Sequence, residues 1–165
     1  MHLLLSKNDL RNTVLVRPDG QAVYRINTPH NLFGRRTTKI KRVHAINVQI
    51  GKIKWHTFRA SKLWTGGRQV QLHKSGIFSH SKIFQARDGQ NYIWKTKNGH
   101  PMLVGEGHSR TVATFHKPKW GILSKSRLAS LEITAQGMEI LDDIVTTFVW
   151  FEQNRRKRKQ ASSAG

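Results

Sequence analysis

The chain has 165 residues, with 29 Lys and Arg against 9 Asp and Glu, which gives a formal net charge of +20. This length fits one domain, and a hydrophobic content of 37% is enough to build a core, so wholesale disorder is excluded. The absence of cysteine excludes disulfides, a thiol nucleophile and thiolate metal sites.

Strand and turn signals alternate along most of the chain. Two Asp-Gly turns, at residues 19–20 and 88–89, each lie between segments rich in β-branched and aromatic residues, a pattern typical of a hairpin. We predict about nine strands, at residues 12–16, 22–27, 36–43, 50–58, 81–86, 91–96, 101–104, 111–116 and 127–134. This organisation indicates an antiparallel β protein, either a barrel or a sandwich.

One segment, residues 138–151, is predicted to be helical. Its apolar residues recur at intervals of three and four and extend nearly all round the helix, so the helix should be buried on most sides. Asp142 and Asp143 lie in its first turns, where the helix dipole favours acids. At 1.5 Å per residue the helix is about 21 Å long, too short to cross a bilayer. We therefore expect the sheet to surround it.

The last residues differ in composition from the rest of the chain. They begin with five adjacent cations, Arg155, Arg156, Lys157, Arg158 and Lys159, and they hold little apolar material that could dock on a core. We predict one β domain over residues 1–154 and a flexible basic tail over residues 155–165. Such a cationic run is also found in nuclear-localisation signals, although the pattern is weakly specific.

Positive charge is concentrated in the first half of the chain, where no acid occurs between Gly20 and Arg87. In the predicted strands 36–43 and 50–58, alternation places two lysines of each strand on one face. Like charges facing one another across a sheet cost stability; a phosphate site would explain the arrangement, and side chains splayed into water are the alternative. The candidate anion-binding residues are Lys39, Lys41, Lys52 and Lys54, with Arg35, Arg36, Arg42 and Arg59 at their margins.

Three segments resemble a known protein family, namely FSHSKIFQARDGQNYIWK (78–95), TVATFH (111–116) and LEITAQGMEILDDIVTTFVWFEQNRR (131–156). They resemble a fungal family of unknown function in the tubby-like superfamily, which includes phospholipid scramblases and plant defence-related LURP-one-like proteins. The resemblance covers roughly residues 14–158. It implies a closed antiparallel β-barrel around a C-terminal hydrophobic helix, and tubby relatives bind phosphoinositides. The matching residues are core and turn positions, so no ligand-contacting residue is carried over.

Signals of catalysis are weak. The motifs HExxH, GxSxG and GxxxxGK[ST] do not occur, and the nine His residues include no helical i, i+4 pair. Residues 105–110 combine an acid, an imidazole and a hydroxyl in a loop, but adjacency in a loop does not create catalytic geometry. We predict no catalytic residue, no metal site and no cofactor, and therefore a protein that is not an enzyme.

Three functions are compatible with this charge. The first is a non-catalytic module that binds anionic phospholipid or phosphoinositide head groups at a membrane surface. The second is nucleic-acid binding, with phosphate contacts from the same cations and base stacking by Trp64, Trp94 or Trp120. The third is a structural or interaction module with an acidic protein partner. Because Trp55 alternates to the apolar face, the sequence favours head groups over bases.

The expected location follows from the same features. The first residues lack the basic lead-in and long apolar run of a secretory signal, and no apolar run approaches the ~20 residues of a spanning helix. We expect an intracellular protein without a transmembrane segment, in the cytoplasm or peripheral to a membrane. The basic run makes the nucleus the alternative location.

Overall fold

The computed structural model describes residues 1–29, 36–43, 46–57, 59–76, 80–107, 110–119 and 127–165. Over these residues the protein is mainly β, with one antiparallel sheet and one C-terminal helix. The helix, α1 (Leu141–Ser163), follows a 3-10 helix at Ala135–Ile140. The sheet has thirteen strands, β1 (His2–Leu5), β2 (Asn12–Val16), β3 (Ala22–Asn27), β4 (Arg36–Arg42), β5 (Val48–Trp55), β6 (Lys62–Thr65), β7 (Arg68–Val70), β8 (His73–Lys74), β9 (Lys82–Gln85), β10 (Asn91–Lys97), β11 (His100–Gly105), β12 (Thr111–His116) and β13 (Ser130–Ile133).

Neighbouring strands pair in the order β7, β6, β5, β4, β3, β2, β1, β13, β12, β11, β10, β9, β8. Each predicted strand corresponds to one of these, so the prediction of a mainly β protein is confirmed. The predicted strand 50–58 is β5, and Phe58 lies outside the described residues. Four strands were not predicted, namely β1, β6, β7 and β8. They are only two to four residues long, too short for alternation to be recognised.

The two predicted Asp-Gly turns form hairpins with the same local hydrogen bonds. The N–H of Gln21 donates to Asp19 Oδ1 over 2.9 Å before β3, and the N–H of Gln90 donates to Asp88 Oδ1 over 3.0 Å before β10. The glycine that follows each aspartate has a φ of 87° or 80°. Glycine adopts this left-handed conformation without steric cost, which explains why these dipeptides end the strands.

The first half of α1 forms the centre of the core, as its nearly all-round apolarity predicts. Ile144 and Phe148 are completely buried. The ring of Phe148 lies 4.8 Å from that of Phe115 in β12 and 5.9 Å from that of Trp94 in β10, measured between centroids. The Trp94 indole also donates to Thr147 Oγ1 over 2.9 Å, so the helix is held to the sheet by both apolar and polar contacts.

The helix is longer than predicted. It continues from residue 151 to Ser163, through the segment predicted as a flexible tail. Arg, Lys, Gln and Ala have high helix propensity, and Glu152 accepts hydrogen bonds from Arg155 and Arg156, three and four residues further on. Arg155 is buried by these contacts. The structure therefore differs from a tail that begins at residue 155: the helix continues there, and Glu152 offsets the charges of Arg155 and Arg156.

The two edge strands of the sheet, β7 and β8, are consecutive in the chain. No backbone ladder joins the sheet's two edges in the described parts of the chain. Side chains approach across the gap instead, because Arg68 Nη2 of β7 donates to the carbonyl of Gln85 in β9 over 3.0 Å. Asp143 of α1 contacts both sides, since it accepts from Thr65 Oγ1 over 2.6 Å and from the N–H of Arg87 over 2.7 Å.

Candidate anion-binding site

The outer surface of strands β3 to β6 carries a continuous set of cations, and we call it the basic face. Residues that point inward from the same strands, such as Tyr24, Ile40 and Leu63, are buried in the core. Period-two alternation therefore turns the residues between them outward. The basic face consists of Arg25, Lys39, Lys41, Lys52, Lys54 and Lys62, with Trp64 among them.

The strand register places like charges directly opposite one another. Three pairs of cations are aligned in this way: Arg25 with Lys41, Lys39 with Lys52, and Lys54 with Lys62. Directly opposed like charges destabilise a sheet. Strands β3 to β6 all lie within the acid-free stretch of the sequence, so none of them supplies a carboxylate to this surface. An external anion would remove the repulsion.

Trp64 is half-buried within the basic face. Lys52 Nζ lies 4.9 Å and Lys54 Nζ 5.5 Å from its ring centroid, within the range of a cation–π contact. Of the other predicted stacking residues, Trp120 lies outside the described residues. Trp94 is completely buried in the core, so its prediction as a base-stacking residue is wrong. The burial of Trp94 could not be predicted from its position in the middle of β10, because aromatic residues suit both core and surface positions of a strand.

Four predicted site residues, Lys39, Lys41, Lys52 and Lys54, lie together on the basic face. Sequence reasoning missed Arg25 and Lys62, and it named Trp64 only as a stacking residue of the nucleic-acid alternative. For Arg25 the signal was present in the alternation of AVYRIN (22–27), whose inward residues are buried. The four-residue β6 was not predicted as a strand, so Lys62 and Trp64 were not placed beside the lysines.

Arg36 and Arg42 do not belong to the basic face. They alternate with its lysines along β4 and therefore face the opposite side. Arg42 forms an ion pair with Asp142 of α1, with 2.5 Å between Nη2 and Oδ1. Arg36 lies at the other end of β4, directly opposite Trp55. The remaining margin residues are Arg59, which is exposed between β5 and β6, and Arg35, which lies outside the described residues.

Two exposed apolar side chains lie where the chain enters β5, at the end of β4 that holds Lys41. Ile46 precedes β5 and is 77% exposed, and Val48, the first residue of β5, is 54% exposed. Val48 pairs with Arg42 and Gln49 with Lys41, so Val48 lies on the side of the sheet away from Lys41 but at the same end of the strands. Segments that lie at a membrane interface combine aliphatic and cationic side chains. The exposure of these two residues could not be predicted from sequence, because it depends on what packs beside them.

The five cations of the predicted localisation-like run lie on α1. Arg155 and Arg156 share Glu152, and Arg156 Nη1 also donates to the carbonyl of Asn8 over 2.9 Å. Lys157 Nζ lies 4.6 Å from the ring centroid of Trp55. The last two, Arg158 and Lys159, line a cavity between α1 and the sheet. The five cations therefore belong to the folded domain and do not form a separate basic segment.

The described residues offer little for a metal or catalytic site. No group of three or more His, Cys, Asp or Glu side chains in this part of the chain is arranged to hold a metal ion. In the loop 105–110, Glu106 accepts a hydrogen bond from Asn91 Nδ2 over 2.8 Å, while His108 and Ser109 lie outside the described residues. Among the described helices, none has the length and apolarity needed to span a membrane.

Comparison with known proteins gives one match. The model of a family of unknown function, DUF6593, matches residues 8–157. Neither the curated proteins nor the solved structures include a significant match to the chain. The matched range contains all of β2 to β13 and α1 as far as Lys157, so it includes most of the core and the whole basic face.

Proposed function

The chain belongs to the family of unknown function DUF6593, and from its own surface we propose that it is a non-catalytic module that binds anionic phospholipid head groups, including phosphoinositides, at a membrane surface. The observation that carries this proposal is the alignment of like charges on the basic face, above all Lys39 opposite Lys52. Each Lys or Arg near an acidic leaflet contributes about 1 kcal/mol. Six such residues on one face would therefore support reversible attachment to a membrane.

Ile46 and Val48 favour a membrane over other polyanions. Their exposure has a cost in water, and the acyl boundary of a bilayer would bury them at the end of the sheet where the basic face ends. A nucleic acid offers no comparable apolar phase. The combination of a cationic sheet and an aliphatic tip therefore supports head-group binding.

Nucleic-acid binding is the second candidate, and Trp64 is the observation that favours it. An aromatic ring among cations is the arrangement that single-stranded nucleic acids use for stacking and phosphate contact. The same ring also suits the interfacial region of a bilayer, where tryptophan is enriched. Binding of an acidic protein by this surface is the third candidate, and a nuclear location would accompany the nucleic-acid function.

We also propose that the sheet closes into a tubby-like barrel around α1, as the sequence resemblance implies. The contact of Arg68 with Gln85 and the bridging of Thr65 and Arg87 by Asp143 support an approach of the sheet's two edges. Membership of the tubby-like superfamily and a fungal origin remain predictions. An experimental structure with an open, flat edge at β7 would contradict the closure.

The test compares binding to vesicles with binding to nucleic acid at matched ionic strength. Reversal of charge at Lys41 and Lys52 should strongly weaken co-sedimentation with phosphatidylserine or phosphoinositide vesicles. The matched control reverses Lys95 and Lys97, which alternate outward on β10 and change the net charge equally. Parent binding should also decrease as salt is raised, because exposed charges are screened over about 10 Å at 0.1 M.

Two further variants separate the candidates. Ile46→Ser with Val48→Ser should weaken vesicle binding and leave the affinity for single-stranded DNA and RNA unchanged. If the ligand is a nucleic acid, Trp64→Ala should weaken binding more than the double serine variant does. Unchanged vesicle binding by the Lys41 and Lys52 variant, with loss of nucleic-acid affinity, would favour the second candidate. If this variant binds both vesicles and nucleic acid as the parent does, the basic face is only a solvated surface.

A further inference from the structure

A second cationic site lies at the C-terminal half of α1, separate from the basic face. A cavity of about 610 Å³ opens between α1 and the β8–β11 side of the sheet. It is lined by His80, Thr96, Arg155, Arg158, Lys159 and Ser162, among others. Its volume falls within the roughly 300–1,000 Å³ of small-molecule sites. No carboxylate lines the cavity among the described residues, so its walls are strongly positive.

Arg155 is only 7% exposed, and its guanidinium is incompletely paired. Nε and Nη2 donate to the carboxylate of Glu152, the latter over 2.8 Å. Nη1 is buried and has no hydrogen-bond partner. A buried donor without a partner is costly, and a guanidinium presents its donors in a fork suited to phosphate oxygens. Nη1 therefore keeps two N–H donors without an acceptor, and Arg155 adds an incompletely paired positive charge to the wall of the cavity.

The cations around this cavity repel one another. Burial and the charge of Arg155 lower the pKa of Arg158. Burial, followed by the charges of Arg155 and Lys159, lowers the pKa of Lys117 despite the opposing effect of Glu152. The helix dipole explains why basic residues favour the last turns of a helix, but it does not explain why they are gathered around a cavity. A bound polyanion would offset the repulsion.

We propose that this cavity binds a ligand with clustered phosphate groups, which Arg158 and Lys159 contact directly and which the charge of Arg155 attracts. The ligand is either a soluble polyphosphate or the phosphorylated head group of a lipid, since both present the same oxygens to a guanidinium or ammonium group. This site does not depend on the basic face, which is formed by other strands. The more exposed Arg158 and Lys159 would neutralise the phosphate charge, while the buried guanidinium of Arg155 would add positive charge behind them.

The test uses inositol hexakisphosphate as the soluble probe and isothermal titration calorimetry on the full chain. Arg158→Ala with Lys159→Ala should lower the affinity about tenfold or more, because two charge-assisted contacts are lost. Both side chains are more exposed than Arg155, so the fold should survive, and a thermal melt verifies this. Lys7→Ala with Arg17→Ala removes the same charge at two exposed positions outside both the cavity and the basic face, and it should leave the affinity for the probe nearly unchanged.

A second arm distinguishes the two ligand sources. If the ligand is a lipid, Arg158→Ala with Lys159→Ala weakens co-sedimentation with phosphoinositide vesicles but not with phosphatidylserine vesicles. If the ligand is soluble, only binding of inositol hexakisphosphate changes. The proposal is overturned if the parent does not bind the probe, or if the two double variants lose equal affinity, since the probe would then respond to net charge alone. Either result would leave the proposed function of the basic face open, because the vesicle test with the Lys41 and Lys52 variant decides it separately.

Discussion

The hydroxyl of Tyr24 donates a 2.7 Å hydrogen bond to Oδ1 of Asp142, a residue 118 positions further along the chain. The same carboxylate forms an ion pair with Arg42. Strands β3 and β4 are thereby tied to the first turn of α1. Asp142 and Asp143 are predicted from sequence only as acids favoured by the helix dipole, but both are buried and both accept hydrogen bonds from the sheet.

The chain has two tyrosines, and both should resist ionisation. Burial, followed by the charge and hydrogen bond of Asp142, raises the pKa of Tyr24. Burial, followed by the hydrogen bond to Asp88, raises the pKa of Tyr92 to about 12. Their unfolded-state pKa is about 10. The protonated tyrosines therefore contribute to the free energy of unfolding, because ionisation is harder in the folded protein. This contribution is complete below about pH 10 and is lost as the pH rises toward about 12.

The measurement is tyrosinate absorbance followed together with far-ultraviolet circular dichroism in an alkaline titration. Absorbance should stay flat through about pH 10 and then rise as the fold is lost. Tyr92→Phe isolates the signal of Tyr24. Ionisation of both rings at their ordinary pKa, with the circular dichroism of the folded protein intact, would contradict the buried hydrogen bonds.

Asp143→Asn should destabilise the protein by about 1–3 kcal/mol. The carboxylate accepts from Thr65 Oγ1 and from the N–H of Arg87, and an amide supplies only one acceptor in place of two. Urea unfolding measures the loss. Asp9→Asn is the control, because Asp9 is an exposed acid that accepts a backbone hydrogen bond from Arg11. Equal midpoints for the two variants would show that Asp143 does not join the sheet edges.

Gly51→Ala should cost about 1–3 kcal/mol through overpacking. A Cβ at Gly51 would lie 2.8 Å from Thr146 Cγ2 and would also crowd its Oγ1, so α1 packs against β5 at van der Waals distance of the bare backbone. Thr146→Ala removes both crowding atoms, and in that background the cost of Gly51→Ala should shrink. A double-mutant cycle with no coupling energy would argue against this close approach.

Ile144→Asp should prevent folding, because it places an unpaired charge at a completely buried position. Met138→Asp is the matched control, since Met138 lies just before α1 and is 40% exposed. Circular dichroism and thermal melts compare the two variants. An Ile144→Asp protein that melts like the parent would refute the buried position of α1.

Side-chain alternation along the strands predicts part of the candidate site from sequence. It correctly places Lys39 and Lys52 on one face, because successive side chains of a strand point to opposite sides. The same rule turns Arg42 inward, where Asp142 binds it. Sequence reasoning grouped Arg42 with the lysines by proximity alone, and its partner lies 100 residues away, so no local pattern pointed to the pair.

The amino-acid sequence by itself determined nine of the thirteen strands, the Asp-Gly hairpins, the apolar helix and the sign of the charge, because these depend on periodicity, turn chemistry and composition over short windows. Only the tertiary structure decided which cations face each other and which are paired. The alignment of Arg25 with Lys41, the burial of Arg155 beside Glu152 and the cavity next to Arg158 depend on strand register and on the packing of α1. The alignment and the cavity join segments that are distant in the chain, whereas Arg155 and Glu152 are only three residues apart. In all three cases the energies depend on burial, which no local pattern of residues specifies.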